Sequence, residues 1–363
     1  MTPIMGVVIV TYNSTEVICD CLESLMASQG VRLRILVVDN ASTDGTVQRL
    51  RDWADGRWPY QAPVDAPLAL SPCAKPLPLH AGSSAAQVGH SIAVTETGVN
   101  GGFAFGVNKG LEVLAAEPEI TRFWILNPDC IALPGTARRL ARAAGPAEGF
   151  ALMGGRVVYW EDPEKIQSDG GTINWRTGVT DNIHQYAALD SPPPPGAGEG
   201  APDFISGAHM VASRAFYEKA GPLREDYFLY YEEADWALRR GALPLSYVKG
   251  AVVFHRAGAS IGSGSVARAP TPFATYFLYR ARFRFLRRFG RRSLIWAYLW
   301  AFAKAWQMWL NEERPQARAL WRGIWDAAPP EEVRARLAPE AAARAFAPLT
   351  PAPAPAAPRP SSA

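Results

Sequence analysis

The sequence predicts an α/β protein built on a mixed, mostly parallel sheet that is flanked by helices. Two β-branched runs, at residues 5–11 and 33–39, are continuously apolar and end in polar residues, as buried parallel strands do. Between them, residues 14–28 space their apolar side chains at helical intervals, with Ser14 or Thr15 as the expected N-cap. A strand–helix–strand beginning is typical of doubly wound sheets.

The later segments continue this alternation of strands and helices. We predict strands in SIAVTETG, TRFWILNPDC, FALMGGRVVYW and DFISGAHMVAS, a strand pair in LSYVKGAVVFHRAG, and a glycine-rich turn entering a helix in NGGFAFGVNKGLEVLAA. Another helix is expected at residues 134–143. Residues 54–93 are rich in Pro, Ala and Ser and are predicted to be a loop insertion, and residues 191–202 a flexible loop.

The chain of 363 residues therefore divides into three parts. Residues 1–270 form the α/β domain. Residues 271–346 form a helical extension that is rich in basic and aromatic side chains. Residues 347–363 form a Pro/Ala tail that we expect to be disordered, because it cannot bury enough apolar surface to fold.

The composition is that of a globular protein from a reducing compartment. Hydrophobic residues make up 48% of the chain and charged residues 20%, which is enough apolar material for a packed core. Cys19, Cys21, Cys73 and Cys130 show no metal-ligand spacing, and we interpret them as reduced thiols. The N-terminal apolar run has no basic region before it, so we expect no signal peptide and a cytoplasmic protein.

The extension contains a basic segment followed by an apolar one. Residues 280–292 hold seven arginines and no acid, which favours a phosphate, membrane or nucleic-acid partner. Residues 294–310 are barely long enough to span a bilayer and include Lys304. We therefore favour docking at the anionic inner face of the cell membrane over spanning it. The alternative is an ordinary helix packed on the first domain, with the arginines in solvent.

Polar side chains follow several predicted strands. Asn13, Asp39 and Asn40 stand at the carboxyl ends of the first two strands, where doubly wound sheets bind ligands. Asp129, in LNPDC, can hold a hard divalent cation and through it a diphosphate, or it can simply begin a turn. The glycine-rich turn can cradle a phosphate or be a plain turn. His255 ends a later strand and matters only as the nitrogen ligand of an oxygen-rich metal site.

The stretch FLYYEEADW places three carboxylates in four positions among aromatic residues: Glu232, Glu233 and Asp235. Like charges this close repel each other, and water is the least costly place for them. They form either a surface turn at the start of a helix, where acids suit the helix dipole, or a site that needs a carboxylate base. Aromatic walls and neighbouring acids raise the pKa of such a base toward neutral pH.

Seven segments occur in a characteristic order: VVIVTYN, LVVDNASTDGT, NGGFAFGVNKG, LNPD, SGAHMVASR, GPLREDYFLYYEEADWALR and VFHRAGAS. Together they resemble the inverting family 2 glycosyltransferases, most closely the rhamnosyltransferase-like branch, from residue 5 to about residue 290. The resemblance implies the GT-A fold, a nucleotide-diphosphosugar donor and a divalent cation, Mg²⁺ or Mn²⁺.

The resemblance also implies roles for individual residues. The metal would lie on Asp129, which matches the last residue of the family's Asp-x-Asp, and on His255. Glu233 matches the catalytic base and Asp235 the acid two residues on. The implied acceptor residues are Gly207, Glu232 and Trp236. The implied donor-binding residues are Thr11, Tyr12, Asn13, Asp39, Asn40, Asn100, Gly101, Phe103, Gly106, Asn108 and Asn127.

The sequence departs from the family pattern at three places. Glu233 stands where the family usually has Asp, which adds one methylene between the backbone and the carboxylate. The 54–93 insertion has no counterpart in the usual pattern. GVNGGF carries one glycine more than the common N-x-G-F turn needs.

The expected reaction is transfer of a sugar to a hydroxyl of a glycan or lipid-linked acceptor, with L-rhamnose from dTDP-rhamnose as the donor that the branch suggests. A nucleotidyltransferase that makes sugar nucleotides is a second possibility, but its basic, Gly-rich signature after the first strand is missing from VTYNSTEV. A non-catalytic nucleic-acid binder is a third, which the arginines allow and which leaves the carboxylates unexplained. We expect no nucleic-acid partner.

Overall fold

The computed structural model describes residues 2–81, 89–145, 149–256 and 270–349. The strands in this part of the chain are β1 (Ile4–Thr11), β2 (Arg32–Asp39), β3 (Leu79–Ala81), β4 (Ser91–Glu96), β5 (Arg122–Leu126), β6 (Cys130–Ala132), β7 (Leu152–Tyr159), β8 (Ile166–Ser168), β9 (Gly171–Ile173), β10 (Thr180–Asn182), β11 (His209–Ser213) and β12 (Ser246–His255). The α-helices are α1 (Ile18–Met26), α2 (Thr46–Ala54), α3 (Phe103–Ala115), α4 (Thr136–Arg142), α5 (Arg214–Ala220), α6 (Glu232–Leu238), α7 (Pro272–Phe289), α8 (Leu294–Leu310), α9 (Arg314–Ile324), α10 (Glu331–Arg334) and α11 (Pro339–Ala345).

The large sheet has the strand order β3-β4-β2-β1-β5-β11-β7-β12-β6, and β8 pairs with β7. The five strands from β3 to β5 are mutually parallel, β11 runs antiparallel between β5 and β7, and β12 is again parallel to β7. A short hairpin of β9 and β10 forms a second sheet. The predicted mixed, mostly parallel sheet with flanking helices and a helical extension is confirmed.

The first strand shows how the sequence positions this sheet. Met5, Val7 and Ile9 face the core shared with α1 and α2, whereas Val8 and Val10 face the core shared with α3. Alternate side chains of a strand point to opposite faces, so a strand covered by helices on both sides is apolar throughout. The carboxyl ends of β1, β2 and β5 then lie side by side, and the polar residues after them meet at one edge.

Three local predictions differ from the structure. The 54–93 segment is not entirely a loop, because β3 adds an edge strand to β4, which itself begins at residue 91. In place of the predicted strand pair there is one strand, β12 (Ser246–His255), whose pairing with β7 shifts register between Tyr247 and Val252. Helix α1 begins at Ile18 with Val17 as its N-cap residue and no side-chain cap, so neither Ser14 nor Thr15 is the N-cap.

The helical extension packs on the α/β domain through α7. Phe273, Tyr276 and Phe277 share a core with Phe228 and Leu229. The opposite side of α7 packs against α8 and α9 in a separate cluster. The predicted disordered tail, from residue 350 onward, lies outside the described residues.

The arginines of α7 do not form the predicted surface patch. Arg280, Arg282 and Arg284 are buried. Arg284 donates to both carboxylate oxygens of Asp326 at 2.8 and 2.9 Å, and Arg280 donates to the same carboxylate. A buried guanidinium needs such partners because desolvation of an unpaired charge is costly. The alternative with arginines in solvent is therefore also wrong for these three; of the seven, Arg291 and Arg292 are the exposed ones.

In the described part of the chain, no helix combines the length and the apolar character needed to cross a bilayer. Helix α8 has 17 residues.

The Asp326 ion pairs should contribute strongly to stability. Asp326→Asn keeps a side chain that tolerates the positive φ of 55° at this position, yet removes the charge that two buried arginines need. We expect the free energy of unfolding to fall by about 3–5 kcal/mol. Glu96→Gln, in the exposed pair with Arg51, should change it by less than about 1 kcal/mol, measured for both by urea denaturation.

Burial alone would raise the pKa of Asp326, but hydrogen bonds and charge from Arg284 and Arg280 hold it below its ordinary value. Stabilisation by this carboxylate is therefore fully present above its unfolded pKa and is lost as the pH falls through the lower folded value. The Asn variant should lack this part of the acid sensitivity. Equal stability of Asp326→Asn and wild type would contradict the assignment.

Candidate active site

A cavity of about 320 Å³ lies at the carboxyl ends of β1, β2 and β5. Of the residues predicted from sequence, it is lined by Tyr12, Asn40, Asn100, Phe103, Asn127, Asp129, Gly207, Glu232, Glu233 and His255. These residues come from every part of the α/β domain. The structure therefore brings predicted donor, metal, base and acceptor residues to one place.

Two predicted donor residues, Thr11 and Asp39, lie beneath the cavity and not on its wall. The register of β1 and β2 pairs Thr11 with Asp39, and the Thr11 hydroxyl donates to Asp39 Oδ1 at 2.9 Å. Ser42 donates to both oxygens of the same carboxylate, through its hydroxyl at 2.6 Å and its backbone N–H at 2.9 Å. Asp39 is 2% exposed and holds the loop after β2 in place.

Asn13 joins the loops that follow β1 and β2. Its backbone N–H donates to the Ser42 hydroxyl at 2.9 Å, and its side-chain oxygen accepts from the Thr43 N–H at 2.8 Å. Asn13 has a positive φ of 53°, which Asn tolerates better than most residues. Its contacts support Tyr12 and Ser14, which do line the cavity.

The glycine-rich loop needs both of its adjacent glycines. Gly102 has φ 88°, and a Cβ there would lie 2.4 Å from the Phe228 carbonyl oxygen. A Cβ on Gly101 would lie 2.3 Å from the Phe105 ring. The extra glycine of GVNGGF therefore lets the loop approach the FLYY segment, where the Phe103 N–H donates to the Phe228 carbonyl at 3.0 Å. Asn40 ties this loop to β2 by donating to the Gly102 carbonyl at 2.9 Å.

Two other residues of this segment support the site without lining it. Gly106 lets α3 pack closely on β1, since a Cβ there would lie 2.5 Å from Val10. Asn108 donates to the Leu223 carbonyl and accepts from the Leu223 N–H, both at 2.9 Å, and so anchors the loop that leads into FLYYEEADW.

Asp129 and His255 form the candidate metal centre. Asp129 Oδ1 lies 3.2 Å from His255 Nε2. The other ring nitrogen, Nδ1, lies 2.8 Å from Gln167 Oε1, which can only accept a hydrogen bond, so Nδ1 carries the proton. When His255 is neutral, two electron-pair donors therefore face each other, and a proton or a metal ion between them relieves the repulsion.

The donor set fits a hard divalent cation. Two oxygen or nitrogen ligands about 3 Å apart can occupy neighbouring positions around an ion with bonds of about 2.1 Å. The carboxylate beside His255 raises the pKa of the imidazole, although burial opposes this. Cys130 is close enough to count as a third group, but burial raises the pKa of its thiol well above the usual value, and the thiol faces the Ala208 carbonyl. A neutral thiol is a poor ligand for Mg²⁺ or Mn²⁺.

The backbone before α6 is strained. Phe228, Tyr230 and Tyr231 all have φ between 67° and 69°, a region that bulky side chains rarely adopt. Packing over-determines this conformation: the Phe228 ring lies 4.9 Å from the Phe277 ring, and the Tyr231 hydroxyl donates to the Gly178 carbonyl at 2.6 Å. Helix α6 then begins directly at Glu232, with its first two carboxylates at the cavity.

Glu232 is buried and Glu233 is half-buried, and both stand in the first turn of α6 and line the cavity, so they do not form an open surface turn. Each has a buried Oε2 that accepts no hydrogen bond within the described residues. Burial raises the pKa of Glu233 to about 7, and burial together with the Glu233 charge raises the pKa of Glu232 well above its ordinary value. The two carboxyls titrate as a pair. A Cβ on Gly207 would lie 4.0 Å from Glu233 Cβ, so this glycine leaves space in front of the acid.

Asp235 and Trp236 do not reach the cavity. Asp235 is fully buried, accepts from Arg239 and the Tyr227 hydroxyl at 2.9 Å each, and lies 3.5 Å from Arg288. Through these contacts the Asp235 carboxylate anchors α6 to its surroundings. Trp236 is also fully buried; its ring packs on Phe216 and its indole N–H donates to the Gly221 carbonyl. An acceptor cannot touch it.

Several lining residues were not predicted from the sequence. Ser14, Ser206, Ala208 and the FLY residues Phe228, Leu229 and Tyr230 belong to segments whose other members were predicted, so their neighbours were the available signal. Phe273, Arg336 and Leu337 come from the helical extension, and no motif marked them.

Residues 6–62 match the family model Glycosyl transferase family 2. This segment runs from β1 past α2 and contains the Thr11–Asp39 pair and the Asn13 contacts. The match bears out, over this segment, the predicted resemblance to the family 2 glycosyltransferases. The sheet described above is the fold class that the resemblance implied. No curated protein matches the chain.

Solved glycosyltransferase structures show a distant overall likeness. The mannosyltransferase PcManGT from Pyrobaculum calidifontis, in complex with GDP-Man and Mn²⁺, is 15% identical with a TM-score of 0.48; the match covers 90% of this chain and 76% of that one. S. aureus TarS 1-349 in complex with UDP-GlcNAc is 14% identical with a TM-score of 0.46, covering 95% and 88%. At these values the likeness assigns no donor, metal or acceptor to this chain.

Proposed function

We propose that this protein is a glycosyltransferase that moves a sugar from a nucleotide-diphosphosugar to an acceptor hydroxyl with inversion, using Glu233 as the general base. The observation that carries the proposal is the shared cavity of Glu233 and the Asp129–His255 pair. A base for the nucleophile and a cation site for the leaving group are the two things that such a displacement needs.

The carboxylate of the half-buried Glu233, whose Oε2 is shielded from solvent, is suited to proton abstraction. Burial raises its pKa to about 7, so near neutral pH it exists as a base and is still strong enough to take a proton from a hydroxyl. Its Oε2 has no protein partner among the described residues and remains available for the acceptor. Gly207 leaves the adjacent space open. Attack from this side on the anomeric carbon inverts it.

The opposite end of the cavity is suited to the donor. Tyr12, Asn40 and Asn100 line it, and the Gly102 backbone approaches it closely. Asp129 and His255 would hold Mg²⁺ or Mn²⁺, which when bound neutralises the departing diphosphate. The donor that we propose is dTDP-rhamnose, which rests on the resemblance of the seven motifs to the rhamnosyltransferase-like branch. Glycans and lipid-linked glycans are the proposed acceptors.

We also propose that the outer face of α8 and α9 docks on an anionic membrane. Its exposed apolar side chains are Ile295, Trp296, Leu299, Trp306, Trp309, Leu310, Trp321 and Trp325. Arg291 and Arg292 lie exposed at the start of α8. Tryptophan with neighbouring arginine suits the interface of a bilayer whose headgroups are negative. The other arginines of the basic segment contact groups within the protein. The exposed apolar face therefore contributes most of the proposed attraction to the membrane.

Glu233→Gln should bind the donor nucleotide as wild type does and transfer sugar roughly 10²–10⁴-fold more slowly. Glu233→Asp should retain part of the activity. In wild type, turnover should fall about tenfold per pH unit as the pH drops below about 7, because the base becomes protonated. Steady-state transfer and nucleotide binding by calorimetry measure these effects. If Glu233→Gln turns over normally while Asp235→Asn is folded but inactive, the general base is Asp235 and not Glu233.

Asp129→Ala should abolish Mn²⁺ binding and transfer, and an excess of chelator should stop the wild-type reaction. Gln167→Ala should weaken Mn²⁺ binding roughly 10–100-fold, because it releases the His255 ring whose Nδ1 it fixes. His184→Gln is a matched control, since His184 contacts Asp169 away from the cavity. Electron paramagnetic resonance of free Mn²⁺ reports the affinities without an activity assay. Full turnover in chelator would refute the metal assignment.

Vesicles with anionic lipid should bind the protein, and Trp306→Ser combined with Trp309→Ser should weaken this binding about tenfold or more. Val64→Ser, at a fully exposed apolar position elsewhere, should not. Replacing Arg291 and Arg292 by Gln should lower the affinity less and reduce its salt dependence, since each cation contributes about 1 kcal/mol. Flotation measures binding. A stable dimer in light scattering that Trp306→Ser disrupts, without flotation, would assign the face to a second copy of the chain.

A further inference from the structure

The helical extension contributes a cation to the active-site cavity. Arg336 and Leu337, which follow α10, line the cavity together with Phe273 at the start of α7. The guanidinium of Arg336 lies 4.9 Å above the Phe273 ring, and its Nη1 is 3.5 Å from the Thr271 hydroxyl. Within the described residues it makes no ion pair with a carboxylate, although other arginines of the extension are paired with Asp226 or Asp326.

The surface beside Arg336 is apolar. Phe228, Leu229, Phe273 and Leu337 form one hydrophobic cluster, and all four also line the cavity. This end of the cavity lies next to the strained turn that precedes Glu232 and Glu233. An occupant here therefore meets a hydrocarbon-like wall, one guanidinium and, at its reacting end, the proposed base.

We propose that Arg336 binds a phosphate on an amphiphilic acceptor, so that the acceptor is a sugar linked through phosphate to an apolar chain. This rests on the proposed glycosyl transfer and specifies its acceptor. A planar guanidinium with several N–H donors matches the oxygens of a phosphate, and the neighbouring Phe and Leu side chains match the first carbons of the chain. The acidic pair Glu232–Glu233 would repel such a phosphate from the catalytic end and leave the sugar hydroxyl there.

The chain offers a matched pair of variants. Arg336→Gln removes the cavity cation. Arg334→Gln removes an exposed arginine two residues earlier, which also lies over a phenylalanine ring, that of Phe346 at 6.0 Å, and does not line the cavity. Arg336→Lys keeps the positive charge but lacks the planar guanidinium with its several N–H donors. Thermal unfolding of all three shows whether any variant has lost its fold.

Octyl phosphate is the first probe, with 1-octanol and inorganic phosphate as its two halves. We expect octyl phosphate to bind wild type more tightly than either half, and Arg336→Gln to lose roughly 10–100-fold in affinity for it, by calorimetry. Arg334→Gln should bind as wild type, and Arg336→Lys should lie between the two. Equal affinity of wild type and Arg336→Gln for octyl phosphate would overturn the proposal. Inorganic phosphate binding as tightly as octyl phosphate would overturn the apolar part.

A second measurement separates this site from the donor site. UDP, GDP and dTDP, each with Mn²⁺, should bind Arg336→Gln and wild type equally. If Arg336→Gln weakens the nucleotides and leaves octyl phosphate unchanged, Arg336 contacts the donor and the acceptor proposal is wrong. If none of the nucleotides binds wild type, the proposed glycosyl transfer is wrong. The octyl phosphate measurement still tests the Arg336 site independently.

Discussion

The candidate active site depends on the contact between helix α7 and the strained turn that leads into Glu232 and Glu233. Three aromatic residues of the turn adopt positive φ, at a cost of order 1–3 kcal/mol each. Helix α7 supplies what holds them. Phe277 packs on Phe228, Phe285 packs on Tyr231 at 5.4 Å, and Arg282 donates to the Tyr231 hydroxyl at 3.1 Å. Without α7 the turn would relax and the carboxylates would move.

The arginines of α7 serve the same purpose on the other side of the turn. Arg284 donates to the Asp226 carbonyl and Arg288 to the Asp226 carboxylate, both just before the turn, and Arg288 also lies near Asp235. Arg288 and Asp226 therefore neutralise each other inside the protein. A segment whose composition suggests a nucleic-acid or membrane surface thus supports the turn that leads into Glu232 and Glu233.

The sequence predicts the sheet and much of the site because both depend on where each buried strand ends along the chain. Each polar residue that follows a buried strand is carried to the same edge, so Asp129 and Asn40 meet although nearly ninety positions separate them. What the sequence cannot distinguish is a residue that contacts the cavity from one that supports it. Asp39, Asn108 and Asp235 belong to motifs, but their side chains form hydrogen bonds to other residues of the chain and do not face the cavity.

The burial of the arginines was hidden for a related reason. Their partners Asp226 and Asp326 are distant in sequence, and a run of arginines without local acids has the same composition whether it faces solvent or packs inside. Arg336 lay outside every motif for the opposite reason: it reaches the cavity because α7 folds back on the α/β domain and brings the segment after α10 with it.

The extension therefore contributes to the candidate active site, because Phe273, Arg336 and Leu337 line the cavity. Its first helix braces the turn that places Glu233, its later segment closes one end of the cavity, and its outer face carries the exposed tryptophans. These three roles share one rigid contact, because the same α7 that packs on Phe228 also packs on α8 and α9. A membrane held by the outer face and a lipid-linked acceptor held beside Arg336 would then be presented to a base whose position the same helix fixes.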